Sequence, residues 1–253
     1  MELWLTLLVI AIAVIAFVVY TNKRRAEREL ADAEAEARRL YERLGGQTMN
    51  LSAPGDNPAA SQALADAGER YTAAGSQLES ASSIRQYRLA CETAIEGLHY
   101  IRAGREAMGI DPGPAVPELP GQRGTGALTE RVSADVEGRS YTGSPTPDDE
   151  NRHYYPGGRV DGRPVPAGWY NTPWWKPALA GVGGALVGVM IFDAMLAPAY
   201  AGGMVEGAAA DAGADGGDAG GDTGDAGDGG DFGGDGGGDF GGDFGGDFGG
   251  FDF

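Results

Sequence analysis

Residues 3–20 read LWLTLLVIAIAVIAFVVY, an uncharged apolar run. At ~1.5 Å per helical residue it reaches ~27 Å, close to the hydrocarbon thickness of a bilayer, so the run predicts a transmembrane helix. A cleaved secretory signal is the competing reading. It needs positive charge before the run and a small-residue cleavage site after it, whereas Glu2 precedes the run and Lys23, Arg24, Arg25 and Arg28 follow. By the positive-inside rule those cations place Met1 outside and the chain from residue 23 in the cytoplasm.

A second run, 178–200, reads ALAGVGGALVGVMIFDAMLAPAY and is introduced by Trp169, Tyr170, Trp174, Trp175 and Lys176. Indole and phenol rings favour a headgroup layer, so these five residues read as interface anchors and the run as a second, Gly-rich span. Ala180, Gly184 and Gly188 fall at i, i+4, i+8. They make a small-residue stripe suited to helix packing, unless they only reflect the frequency of glycine in membrane helices. Asp193 is expected near the outer headgroups.

Between the runs, three amphipathic helices are expected. Leu30, Ala33, Ala37, Leu40 and Leu44 draw one stripe, ended by Gly45 and Gly46. Asn57 followed by Pro58 opens a second helix, in which Ala60, Leu64, Ala67, Tyr71, Ala74, Leu78 and Ala81 repeat as a heptad seam. Ser83 and Gln86 match a capping box for a third helix, with Ile84, Tyr87, Cys91, Ile95, Leu98 and Ile101 on one face and Gly109 at its end. The short seam favours a helical hairpin or three-helix unit over a long coiled coil.

Residues 111–152 are proline-rich at first and then alternate weakly, which predicts a linker with one short hairpin turning at Glu137-Gly138. The block 153–176 contains TyrTyrProGlyGly at 154–158, GlyArgProValProAlaGlyTrpTyr at 162–170 and ThrProTrpTrp at 172–175. Asp161-Gly162 suits a tight turn, while Pro156, Pro164 and Pro166 argue against a central strand. With the Gly-rich run and the Gly-Asp-Phe tail behind it, this block resembles a group of uncharacterised membrane proteins of actinobacterial type. The resemblance implies a membrane protein of unknown role and brings no catalytic residues.

The net charge is −18, and its distribution is uneven: residues 21–176 balance at −3, while 202–253 carry −13 with no basic residue. This tail holds 23 of the 45 glycines, so it is expected to be disordered. Phe232, Phe240, Phe244 and Phe248 follow aspartates and suit weak multivalent contacts. The Gly-Asp spacing misses the nonapeptide calcium frame, which leaves diffuse binding of divalent cations by the tail's carboxylates. Such charge repels nucleic acid.

One cysteine, Cys91, and two histidines, His99 and His153, exclude a disulfide framework and a thiolate zinc site. Cys91 and His99 read as packing residues and His153 as a surface residue. No dinucleotide or phosphate-binding loop occurs, so no cofactor is expected.

The sequence therefore predicts an all-α membrane protein at the cell membrane. Its parts are a transmembrane anchor (1–22), a cytoplasmic helical region (23–110), a linker (111–152), an aromatic juxtamembrane block (153–176), a second transmembrane helix (177–201) and an acidic tail (202–253). Residues 23–176 are cytoplasmic in this scheme; the N-terminus and the tail lie outside. The expected role is that of a non-enzymatic scaffold or interaction protein, with membrane lipids and a protein partner or a second copy as its contacts. The alternative is an accessory subunit of a membrane transporter or enzyme complex.

Overall fold

The computed structural model describes residues 2–176 and 185–208, without the side chains of 2, 3, 5–13 and 185–187. Three helices come first: α1 (Glu2–Asn50), α2 (Pro58–Ser80) and α3 (Ile84–Ala107). Each expected stripe faces inward. Ala37, Leu40 and Leu44 of α1, Ala67 and Ala74 of α2, and Leu98 and Ile101 of α3 are buried in the clusters between the helices, and Ala60 of α2 is buried as well. The helix ends follow from local chemistry. Asn57 Oδ1 accepts from Ala60 N at 2.9 Å, and Pro58 fills the first turn. At the end of α3, Gly109 takes φ +68°, its N–H donates to the Glu106 carbonyl at 2.9 Å, and Ile110 N donates to the Arg105 carbonyl at 3.1 Å. Both bonds of a Schellman motif are therefore present.

Gly45 and Gly46 do not end α1, which runs on to Asn50. Gly45 serves packing. The rings of Tyr41 and Tyr71 stack with centroids 4.6 Å apart and planes 6° apart, and a Cβ on Gly45 would lie 2.7 Å from the Tyr71 ring. Only a residue without a side chain lets α1 and α2 approach around this pair.

The rest of the described chain is a small antiparallel β structure, so the chain is not all-α. Its strands are β1 (Thr125–Leu128), β2 (Val132–Val136), β3 (Arg139–Ser144), β4 (His153–Tyr155), β5 (Gly158–Val160), β6 (Arg163–Val165), β7 (Gly168–Tyr170) and β8 (Val205–Ala208). The order is β2-β3-β7-β4 in a four-stranded sheet, with β1-β8 and β5-β6 as two-stranded pairs. The expected hairpin is β2–β3, where Glu137 (φ +51°) and Gly138 (φ +76°) make the turn. Asp161 (φ +50°) and Gly162 (φ +78°) do the same between β5 and β6. Positive φ at both central residues is the two-residue turn whose twist matches the flanking strands.

The second expected span is overturned by its own packing. Residues 177–184 lie outside the described residues, Ala180 and Gly184 among them. From Ala185 the chain forms α4 (Ala185–Ile191), a π-helical turn (Phe192–Leu196) and α5 (Ala197–Ala201). Ile191, Met195, Leu196 and Ala199 are buried in one cluster with Val132, Tyr155 and Val165 of the strands. Gly188 is buried as well. Asp193 forms an ion pair with Arg163, and the Tyr200 hydroxyl donates to the Thr125 carbonyl at 2.6 Å. The apolar side chains of this segment cover the sheet. Val205–Ala208, expected within the unstructured tail, is the strand that pairs with β1. A Cβ on Gly126 (φ +68°) would lie 2.5 Å from the Glu206 carbonyl oxygen.

Among the described residues no helix is long and apolar enough to cross a membrane. The two-pass arrangement at the cell membrane, with residues 23–176 cytoplasmic and both ends outside, is therefore not supported by the described residues.

Candidate functional site

Small side chains on α2 and α3 leave a recess that the sheet fills. Ala59, Ala63 and Ala103 are buried against Trp169 of β7, with Tyr154 of β4 packed beside them. The Tyr154 ring lies 5.2 Å from Trp169 and meets Tyr100 of α3 edge-on at 6.3 Å. Alanine every fourth position is what admits an indole between two helices; larger residues would hold the sheet away.

Around this recess sits a dense group of titratable residues. Asp66 of α2, 3% exposed, accepts from Lys176 Nζ at 2.9 Å and from Gln62 Nε2 at 3.2 Å. Glu69 Oε2 lies 4.0 Å from the same ammonium. Glu96 of α3 pairs with Arg70 Nε at 3.2 Å and accepts from the Tyr100 hydroxyl at 3.4 Å. Burial raises the Glu96 carboxyl above its ordinary range, against the pull of Arg70. Burial likewise pushes the Tyr154 phenol up to about 12 and keeps the His153 ring below its ordinary value. His153 Nδ1 is buried with no hydrogen-bond partner among the described residues.

Chemically this cluster joins two modules. Its carboxylates are held by cations, and among the described residues no group of three or more potential metal ligands occurs. A depression of about 360 Å³ lies elsewhere, along α1, lined by Tyr20, Thr21, Arg24, Arg25 and Arg28. One helix supplies all five residues, so the depression has no opposing wall to orient a substrate.

The same part of α1 carries the largest apolar exposure described. Val14, Ile15, Phe17, Val18, Val19 and Tyr20 are each between 47% and 68% exposed. At 100° per residue they point in all directions around the axis, unlike the one-sided stripe of residues 30–44. Arg24 lies over the Tyr20 ring at 5.2 Å, and Lys23, Arg25 and Arg28 continue the basic collar.

The five expected interface anchors are placed differently from a headgroup belt. Trp169, Tyr170, Trp174 and Trp175 are between 0% and 6% exposed and form the aromatic centre of the sheet, and Lys176 reaches Asp66. Tyr170 and Trp175 meet at 5.4 Å, and the Tyr170 hydroxyl donates to the Pro166 carbonyl at 2.8 Å. Phe232, Phe240, Phe244 and Phe248 lie outside the described residues. Cys91 is half-buried on α3, and His99 Nε2 is 3.0 Å from the Pro117 carbonyl, holding the proline-rich segment to α3. Sequence reading missed Asp66, Glu96 and the junction role of His153. The available signal was acidic residues at the edge of an alanine seam, where a solvated face is the ordinary expectation. Comparison with family models, with curated proteins and with solved structures returns no match.

Proposed function

We propose that this chain is a non-enzymatic interaction protein whose folded body holds out the amino-terminal part of α1 as the element a partner grips. The exposure of Val14–Tyr20 around the full circumference of the helix carries the reading. A helix apolar on all sides is stable in water only when something encloses it, and a single neighbouring helix covers one face. Several copies of α1, or a partner with a deep apolar groove, fit that demand. The body supports this role by continuity: the same helix, without a break, is clamped over residues 30–44 by α2 and α3.

The full chain and an Ile15→Ser/Phe17→Ser/Val18→Ser variant test the reading, with mass measured by light scattering after gentle isolation and chemical crosslinking. The expected result is a complex of fixed stoichiometry, with itself or with one second protein. The variant should lose that complex while keeping its melting temperature. A full chain that remains monomeric and uncrosslinked at every concentration overturns the proposal.

A further inference from the structure

The joint between the helices and the sheet is held by an apolar plug and by Lys176, whose ammonium meets two carboxylates of α2, and His153 lies in the strand that carries part of the plug. Trp169 and Tyr154 provide the plug, and Lys176 to Asp66 the shorter ion pair. His153 directly precedes Tyr154 in β4 and pairs with Tyr170 across the ladder. Its Nδ1 is sealed from water with no acceptor among the described residues. The charged groups acting on the ring come from each neighbouring element: Asp66 from α2, Lys176 from just beyond β7, and Arg152 from the entry to β4.

We propose that this joint is an acid-released latch: protonation of His153 weakens the Lys176–Asp66 tie and loosens β4 and Trp169 from α2 and α3, while each module keeps its own fold. The imidazolium carries a proton on both ring nitrogens, so its buried Nδ1–H has no acceptor among the described residues, and Lys176 and Arg152 repel its charge. Asp66, the anion that acts on the ring, is already engaged by Lys176 and Gln62, and Glu69 lies 4.0 Å from the same Lys176 ammonium. To satisfy the imidazolium, Asp66 must be shared or water must enter, and either change weakens the tie. Away from the joint, Ala37 of α1 packs on Tyr87 and Ala90 of α3 in a cluster that Tyr154 and Trp169 do not enter. That end of the bundle therefore survives the change. Burial already disfavours the protonated ring, which sets the release on the acid side of an ordinary histidine.

Proton NMR of the full chain across the range from about pH 8 to about pH 5 tests the latch. Trp169→Phe and His99→Gln serve to assign the Trp169 indole and the second imidazole. The expected result is that the Trp169 indole N–H and the Tyr154 ring shift with the midpoint of His153. Resonances of Ala37 and Ala90 should stay in place, and His153→Gln should flatten the Trp169 response. Lys176→Met should raise the His153 midpoint by removing a repelling charge, and Asp66→Asn should lower it. The Lys176→Met arm carries the test if His153→Gln fails to fold. A Trp169 response that persists in His153→Gln, or a His153 midpoint that neither charge variant moves, overturns the proposal.

Discussion

The helical bundle and the sheet solve the same packing problem with opposite materials. In α2 the buried apolar positions are Ala59, Ala60, Ala63, Ala67 and Ala74, so the helices approach closely and bury little side chain at each site. In the sheet the strands are three to six residues long, and burial is concentrated in Trp169, Trp175, Tyr170 and Tyr155. Short strands have few ladder bonds, and large rings supply the apolar contact that the backbone cannot. The bundle is therefore sensitive to added volume, and the sheet to removed volume.

Trp169→Ala tests the sheet side and should have the largest effect. Loss of a fully buried indole at the joint should cost about 3–5 kcal/mol, measured by urea unfolding. A cost below about 1 kcal/mol, within the range of ordinary surface changes, would show that the Trp169 ring does not hold the sheet to the helices. Ala63→Leu tests the helical side, since its methyl is wholly buried against Trp169. Overpacking should cost about 1–3 kcal/mol and leave the helical circular dichroism of the folded state unchanged. A neutral Ala63→Leu would mean that the recess has slack and that the close-packing half of the comparison fails.

The pH dependence of overall stability follows from groups on both sides. Burial lowers the His99 and His153 rings from 6.5 in the fold, so below that value the unfolded chain takes up more protons than the folded one. Their contribution is complete above pH ~6.5 and is lost as pH falls through their folded values. Glu96 runs the other way: burial raises it from 4.5, so its contribution is complete below that value and is lost as pH rises through the folded one. The melting temperature should therefore fall between about pH 7.5 and about pH 5.5, and the double variant His99→Gln/His153→Gln should reduce the fall. An unchanged slope in that variant would assign the acid sensitivity to other groups. The smallest effect is expected for Glu137→Asn in the β2–β3 turn. Glu137 holds φ +51°, where asparagine is tolerated better, so the variant should gain less than ~1 kcal/mol.

The two modules also differ in how far they were legible. Helical stripes, the Asn57 and Ser83 caps and the Gly109 terminus are visible in sequence because each is set by neighbours three to seven residues away. The turns at Glu137-Gly138 and Asp161-Gly162 are local in the same sense. The sheet was not legible as a sheet. Pro156, Pro164 and Pro166 spoke against strands, yet Pro164 sits in the two-stranded β5–β6 ribbon, where no central ladder is interrupted. The aromatic cluster followed by an apolar, glycine-rich run has the composition of a membrane entry. Burial inside a protein and burial in lipid select the same side chains, so composition does not separate them.

By itself the sequence determined the three helices, their inward stripes, two hairpin turns and the concentration of net negative charge in the last fifth of the chain. These depend on periods and pairs that the chain carries locally. Only the tertiary structure decided that Tyr170, Trp174 and Trp175 form a core, that Trp169 fills a recess in the helices, that Ile191–Ala199 cover a sheet, and that Asp66 meets Lys176 across 110 positions. Those outcomes depend on which distant surfaces meet, and no local spacing along the chain records that.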